Sequence, residues 1–82
     1  MQAFPHIYRV SAQSGSEGPV VVSSPGLPDL ATAPPPEFDG PGDLWSPETL
    51  FAGAIANCFN LTFRAIARAS HLEWKALSTE VE

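Results

Sequence analysis

The feature that most constrains this chain is the stretch from Ser46 to Ala69, which reads as one long helix with apolar side chains on almost every face. Its start is well marked. Ser46 is a good N-cap, Pro47 suits the first helical position, and Trp45 and Leu50 are spaced for a hydrophobic staple. Glu48 falls in the first turn, where the helix dipole favours a carboxylate. Carried to about Ala69, the helix is about 35 Å long. Leu50, Phe51, Ala54, Ile55, Cys58, Phe59, Leu61, Phe63 and Ile66 are distributed around it, so it must be wrapped on all sides. An 82-residue chain has too little other material to do that. The expectation is burial against a second subunit or against residues beyond these 82.

The rest of the chain reads as β-structure and loops. His6 to Gln13 alternates apolar and polar residues and reads as a strand, and Pro19 to Ser24 is β-branched. Ser14-Gly15-Ser16-Glu17-Gly18 lies between them, which predicts a hairpin. Pro25 to Gly42 is rich in proline and glycine and reads as an irregular connection, with a short strand near Leu30 and a polyproline-like Pro34-Pro35-Pro36. Leu72 to Glu82 alternates imperfectly and reads as a further strand, one that the sequence leaves in mid-element. The class is therefore α+β: a hairpin and a later strand packed on a long central helix.

Charge and composition exclude several functions. A net charge of −5 argues against nucleic acid or an anionic membrane as partner. Arg9, Arg64, Arg68 and Lys75 form no basic run, and His6 and His71 stand apart, so no metal cluster is expected. The N-terminus lacks the basic and apolar regions of a leader. The apolar run Leu50 to Phe63 is 14 residues long and holds Asn57, Asn60 and Thr62, which suits a core helix better than a membrane span. Cys58 is the only cysteine, which excludes an internal disulfide and fits a reducing cytoplasm.

A lone thiol in an apolar helix is either inert packing or a nucleophile. Thiols react as thiolates, and Cys58 lies about 11 residues into the helix, beyond reach of the N-terminal dipole. A cation or hydrogen-bond donor from elsewhere must activate it. Glu48 precedes it by ten positions, about 15 Å along one helix, so the two cannot touch within a chain. A two-fold pair of crossing helices would bring each Glu48 near the other chain's Cys58.

The run Trp45-Ser46-Pro47-Glu48-Thr49-Leu50-Phe51-Ala52-Gly53-Ala54-Ile55-Ala56-Asn57-Cys58-Phe59 resembles the central-helix motif of the OsmC/Ohr proteins (osmotically inducible protein C, organic hydroperoxide resistance). Pro-Glu at the helix start, small residues, and Ala-x-Cys-Phe ten positions after the glutamate all fall in register. The resemblance implies an OsmC-like fold in which residues 1–82 form a single domain truncated in its C-terminal half, assembled as an intertwined homodimer. It implies a thiol-dependent peroxidase that reduces organic hydroperoxides in oxidative stress defence. Cys58 would be the peroxidatic nucleophile and Glu48 the carboxylate that orients an activating arginine. Phe51, Phe59 and Phe63 would wall an apolar substrate pocket. No cofactor is implied, and an external thiol would be the reductant. Two features depart from the family pattern. The hairpin turn Ser14 to Gly18 holds no arginine where the activating one is expected, and there is no second cysteine to resolve the oxidised thiol. A non-catalytic OsmC-like fragment, or a dimeric interaction or apolar-ligand-binding module, is the alternative.

Overall fold

The computed structural model describes residues 4–82. The expectation that no leader precedes the fold falls partly on Met1 to Ala3, outside the described residues. The chain divides into two compact units, one ending at Ser46 and one comprising Pro47–Glu82.

The first unit is a three-stranded antiparallel meander, β1 (Ser11–Gln13), β2 (Val20–Ser23) and β3 (Leu30–Thr32), in the order β1-β2-β3. Ala12 opposes Val22 and Val21 opposes Ala31, so the β-branched run forms the central strand. Cross-strand polar bonds pin the register. Thr32 Oγ1 donates to the Val20 carbonyl at 2.8 Å, and the Ser11 and Ser23 hydroxyls meet at 3.3 Å.

The hairpin is present but its first strand is shorter than the alternation from His6 suggests. The pairing partners that Arg9 and Val10 would need are Ser24 and Pro25. Pro25 has no N–H, and the chain turns away there through Ser24–Leu27, closed by Leu27 N–H to the Ser24 carbonyl at 3.1 Å. Proline at the second position and Gly26 at φ 78° make this a type II turn. The ladder therefore stops, leaving a single bond from Ser24 Oγ to the Arg9 carbonyl at 2.8 Å.

The short strand near Leu30 is β3. The connection beyond it is more ordered than an irregular loop. Pro35 is polyproline-like (φ −68°, ψ 162°), and Pro36–Phe38 then form one 3-10 turn. The N–H groups of Phe38 and Gly40 both donate to the Pro35 carbonyl, at 2.9 and 3.1 Å, and Asp39 N–H donates to Pro36 at 3.0 Å. Trp45 returns to the sheet: Ala33 N–H donates to its carbonyl at 3.0 Å beside a parallel Thr32–Trp45 bridge. That bridge covers the outer edge of β3, whereas β1 keeps an exposed edge.

The second unit is the helix α1 (Pro47–Ala69) and the segment after it. The helix starts directly after the buried Ser46, where an N-cap was expected. It stops in a Schellman motif. Leu72 N–H reaches the Ala67 carbonyl at 2.9 Å, His71 N–H reaches Arg68 at 3.2 Å, and His71 takes a left-handed φ of 56°.

Residues 72–82 are not a strand, which corrects the expectation for this segment. Strand pairing needs a neighbouring backbone, and this segment is tied to a helix instead. Asn60 Nδ2 donates to the Leu77 carbonyl at 3.1 Å, and Thr79 Oγ1 donates to Asn60 Oδ1. The Phe63 and Trp74 rings meet edge to face, centroids 5.1 Å apart. The period of two survives without the ladder: Leu77, Thr79 and Val81 are half-buried while Ser78, Glu80 and Glu82 are exposed.

Candidate functional site

The helix carries the candidate residues and divides into two faces. Ala56, Asn60, Phe63 and Ala67 recur at helical spacing and are at least half-buried, with Ala67 2% exposed. Asn60 and Phe63 hold the 72–82 segment on this face. Phe51, Ile55, Cys58, Leu61 and Ile66 lie on the other side and are exposed, Phe51 at 60% and Ile66 at 60%. Such a contiguous apolar arc is a surface that ordinarily binds something.

Cys58 sits on the open arc as an exposed free thiol. Its Sγ lies 4.0 Å from Thr62 Oγ1, one turn further on. Around it is a shallow groove of about 480 Å³ lined by Ala54, Asn57, Leu61, Thr62, Ala65 and Ile66. Small side chains one turn away on either side give access to the sulfur.

Glu48 belongs to a second groove, about 500 Å³, at the start of the helix. Phe51, Ala52 and Ile55 form its helical wall, and Val81 and Glu82 close it from the end of the chain. Glu48 and Cys58 are separated by about 15 Å of rise and about 80° around the axis. One chain thus brings Glu48 and Phe51 together but leaves the thiol in a separate groove. Of the three candidate wall residues, Phe51 lines the Glu48 groove, Phe59 is 58% exposed, and Phe63 is turned toward Trp74.

Sequence reasoning missed the role of Asn60. It figured there only as a polar residue interrupting the apolar run, yet both ends of its amide are spent on the chain's own C-terminal segment. A polar amide at helical spacing with Ala56, Phe63 and Ala67 was the available signal. Among the described residues no three histidine, cysteine, aspartate or glutamate side chains gather as a metal site.

The helix, at 23 residues, is long and apolar enough by length and composition to cross a membrane. The shorter run from Leu50 to Phe63 had suggested otherwise. Core helices of water-soluble proteins meet the same criterion.

Comparison with known proteins agrees with the motif. Residues 40–82 match the family described as OsmC-like protein, a span that holds Glu48, Cys58 and the whole helix. A relative described as "Uncharacterized protein YmaD", from Bacillus subtilis (strain 168), is 31% identical over 77 residues. The match covers 94% of this chain and 51% of the relative, so the chain spans about half the length of the curated relative it matches. No solved structure matches. The chain belongs to the OsmC-like family.

Proposed function

We propose that the protein is a thiol-dependent peroxidase acting on organic hydroperoxides, with Cys58 as the oxidised residue. The observation that carries this reading is the unbroken helix Pro47–Ala69, which holds Pro47, Glu48 and Cys58 in the family's register inside the matched segment. The apolar groove around the sulfur suits an organic peroxide better than hydrogen peroxide.

The Cys58 thiolate attacks the terminal peroxide oxygen. An S–O bond forms and the O–O bond breaks, and the electron pair leaves on the alkoxide, which takes a proton to become the alcohol. Sulfur is oxidised to the sulfenic acid and the peroxide is reduced. In this reading an external thiol condenses with the sulfenic acid, releases water, and leaves a mixed disulfide that a further thiol reduces.

The assembly in this reading is a homodimer. A second copy covers the exposed apolar arc and brings its Glu48 toward Cys58, in an isologous arrangement. Glu48 there orients a cationic activator of the thiolate. A cytoplasmic setting keeps the thiol reduced.

The test is the rate of Cys58 oxidation by an organic hydroperoxide and by hydrogen peroxide, followed by intact mass, with Cys58→Ser as control. Fast oxidation that prefers the organic peroxide supports the reading. A rate equal to that of a free thiol overturns it, and with Ser14 to Gly18 lacking an arginine, the chain would then be a non-catalytic member of its family.

A further inference from the structure

The segment after the helix is fastened in a particular way. Two hydrogen bonds made by Asn60 tie 73–82 to the helix. One amide takes both available roles: its NH2 donates to the Leu77 carbonyl and its carbonyl accepts from the Thr79 hydroxyl. Because side chains alternate along an extended segment, fixing residues 77 and 79 also fixes which side Val81 faces. Val81 and Glu82 form the non-helical wall of the groove that contains Glu48 and Phe51. A slip of one residue would put a glutamate side chain, Glu80 or Glu82, in the position that Val81 holds on that wall.

We infer that Asn60 is a positioning residue: its two-armed hold on Leu77 and Thr79 sets the register of the C-terminal segment and so shapes the groove beside Glu48. The Phe63–Trp74 contact anchors the start of the segment but cannot set this register. Ring-edge packing tolerates small shifts, whereas a donor–acceptor pair to one carbonyl and one hydroxyl does not. Asn60 lies about 160° around the helix from Cys58, so it acts on the groove and not on the sulfur. That this groove meets the other copy's Cys58 groove and takes part in receiving substrate rests on the dimeric peroxidase reading. The register itself does not.

The test compares the purified protein with Asn60→Ala and Thr79→Val, by nuclear Overhauser effects from the Val81 methyls to Phe51, Ala52 and Ile55. In Asn60→Ala these weaken severalfold or vanish, while the Phe63–Trp74 effects and the helix content persist. Thr79→Val, which removes one arm and keeps the segment's shape, gives an intermediate loss. Unchanged Val81 effects in Asn60→Ala overturn the inference. Should Asn60→Ala fail to fold, unchanged effects in Thr79→Val overturn it instead.

A second readout separates this inference from the peroxidase reading. With an organic hydroperoxide, Asn60→Ala raises KM severalfold and leaves the rate of Cys58 alkylation by iodoacetamide unchanged. A protein that never turns over peroxide sinks the peroxidase reading alone, because the Val81 effects still decide the register.

Discussion

Gly40→Ala should be among the most damaging single-methyl additions in this protein. A Cβ at Gly40 would lie 1.6 Å from the Pro34 carbonyl oxygen, 2.5 Å from its carbon and 3.0 Å from the Pro35 oxygen. Ordinary carbon–oxygen contact needs about twice the first distance. The obstacle is backbone, held on both sides by prolines of fixed φ, so it cannot rotate away as a side chain would. Relief requires opening the turn, with loss of the bonds from Phe38, Asp39 and Gly40. At about 1 kcal/mol each, three bonds give about 3 kcal/mol. For a domain of this size that lowers the urea midpoint by about 2 M. The control is Gly15→Ala, whose Cβ would meet only Glu17 oxygen at 3.8 Å, and whose effect should stay within about 0.5 kcal/mol. Urea titration of the two variants with an unchanged slope decides the matter. Equal midpoints for Gly40→Ala and Gly15→Ala would refute the reasoning.

His71→Gly should stabilise the protein by about 0.5–1 kcal/mol in thermal unfolding, because glycine relieves the left-handed φ of 56° and only part of that gain returns as unfolded-chain entropy. A double-mutant cycle of Phe63→Leu and Trp74→Leu should show a coupling of about 0.5–1.5 kcal/mol, and zero coupling would mean that the edge-to-face contact does not persist in solution. Peroxidase assays on Glu48→Gln and Cys58→Ser should find both inactive alone, while an equal mixture after subunit exchange regains about a quarter of the wild-type rate. A mixture that stays inactive after proven exchange means that Glu48 serves no thiol across an interface.

The helix was legible because its signals are local. Ser46, Pro47 and Glu48 mark its start through capping, fixed φ and charge, which act within one turn, and the helix begins at Pro47 as they indicate. The three valines of β2 were equally legible as a strand. What failed was pairing, which depends on two segments at once. Arg9 and Val10 alternate well enough, but the residues opposite them include a proline and a turn. Leu72 to Glu82 kept its alternation and lacked a neighbouring strand. The helix end, read at about Ala69, stands at Ala69 although its usual marks are missing. No glycine or asparagine follows Ala69, and the left-handed position is taken by His71, a residue only modestly suited to it.

The candidate site was legible in its residues and not in its assembly, and helix geometry explains why. A helix apolar on every side invites the conclusion that it is buried on every side. The structure resolves that uniformity into two faces with different fates. One takes the chain's own C-terminal segment through Asn60 and Phe63, and the other leaves Phe51, Ile55 and Cys58 exposed. Glu48 and Cys58 ride on the same rigid rod, about 15 Å and about 80° apart, and no rotamer of either side chain closes that gap. A carboxylate and a thiol fixed in this way can cooperate only if a second rod crosses the first. Two equivalent crossings then arise together, because a two-fold axis that brings one Glu48 to the facing Cys58 does the same for the reciprocal pair. Subunit mixing follows from this. Random exchange makes about half the dimers mixed, and each mixed dimer holds one crossing with both native residues and one with neither. One intact site in half the dimers is about a quarter of the wild-type sites.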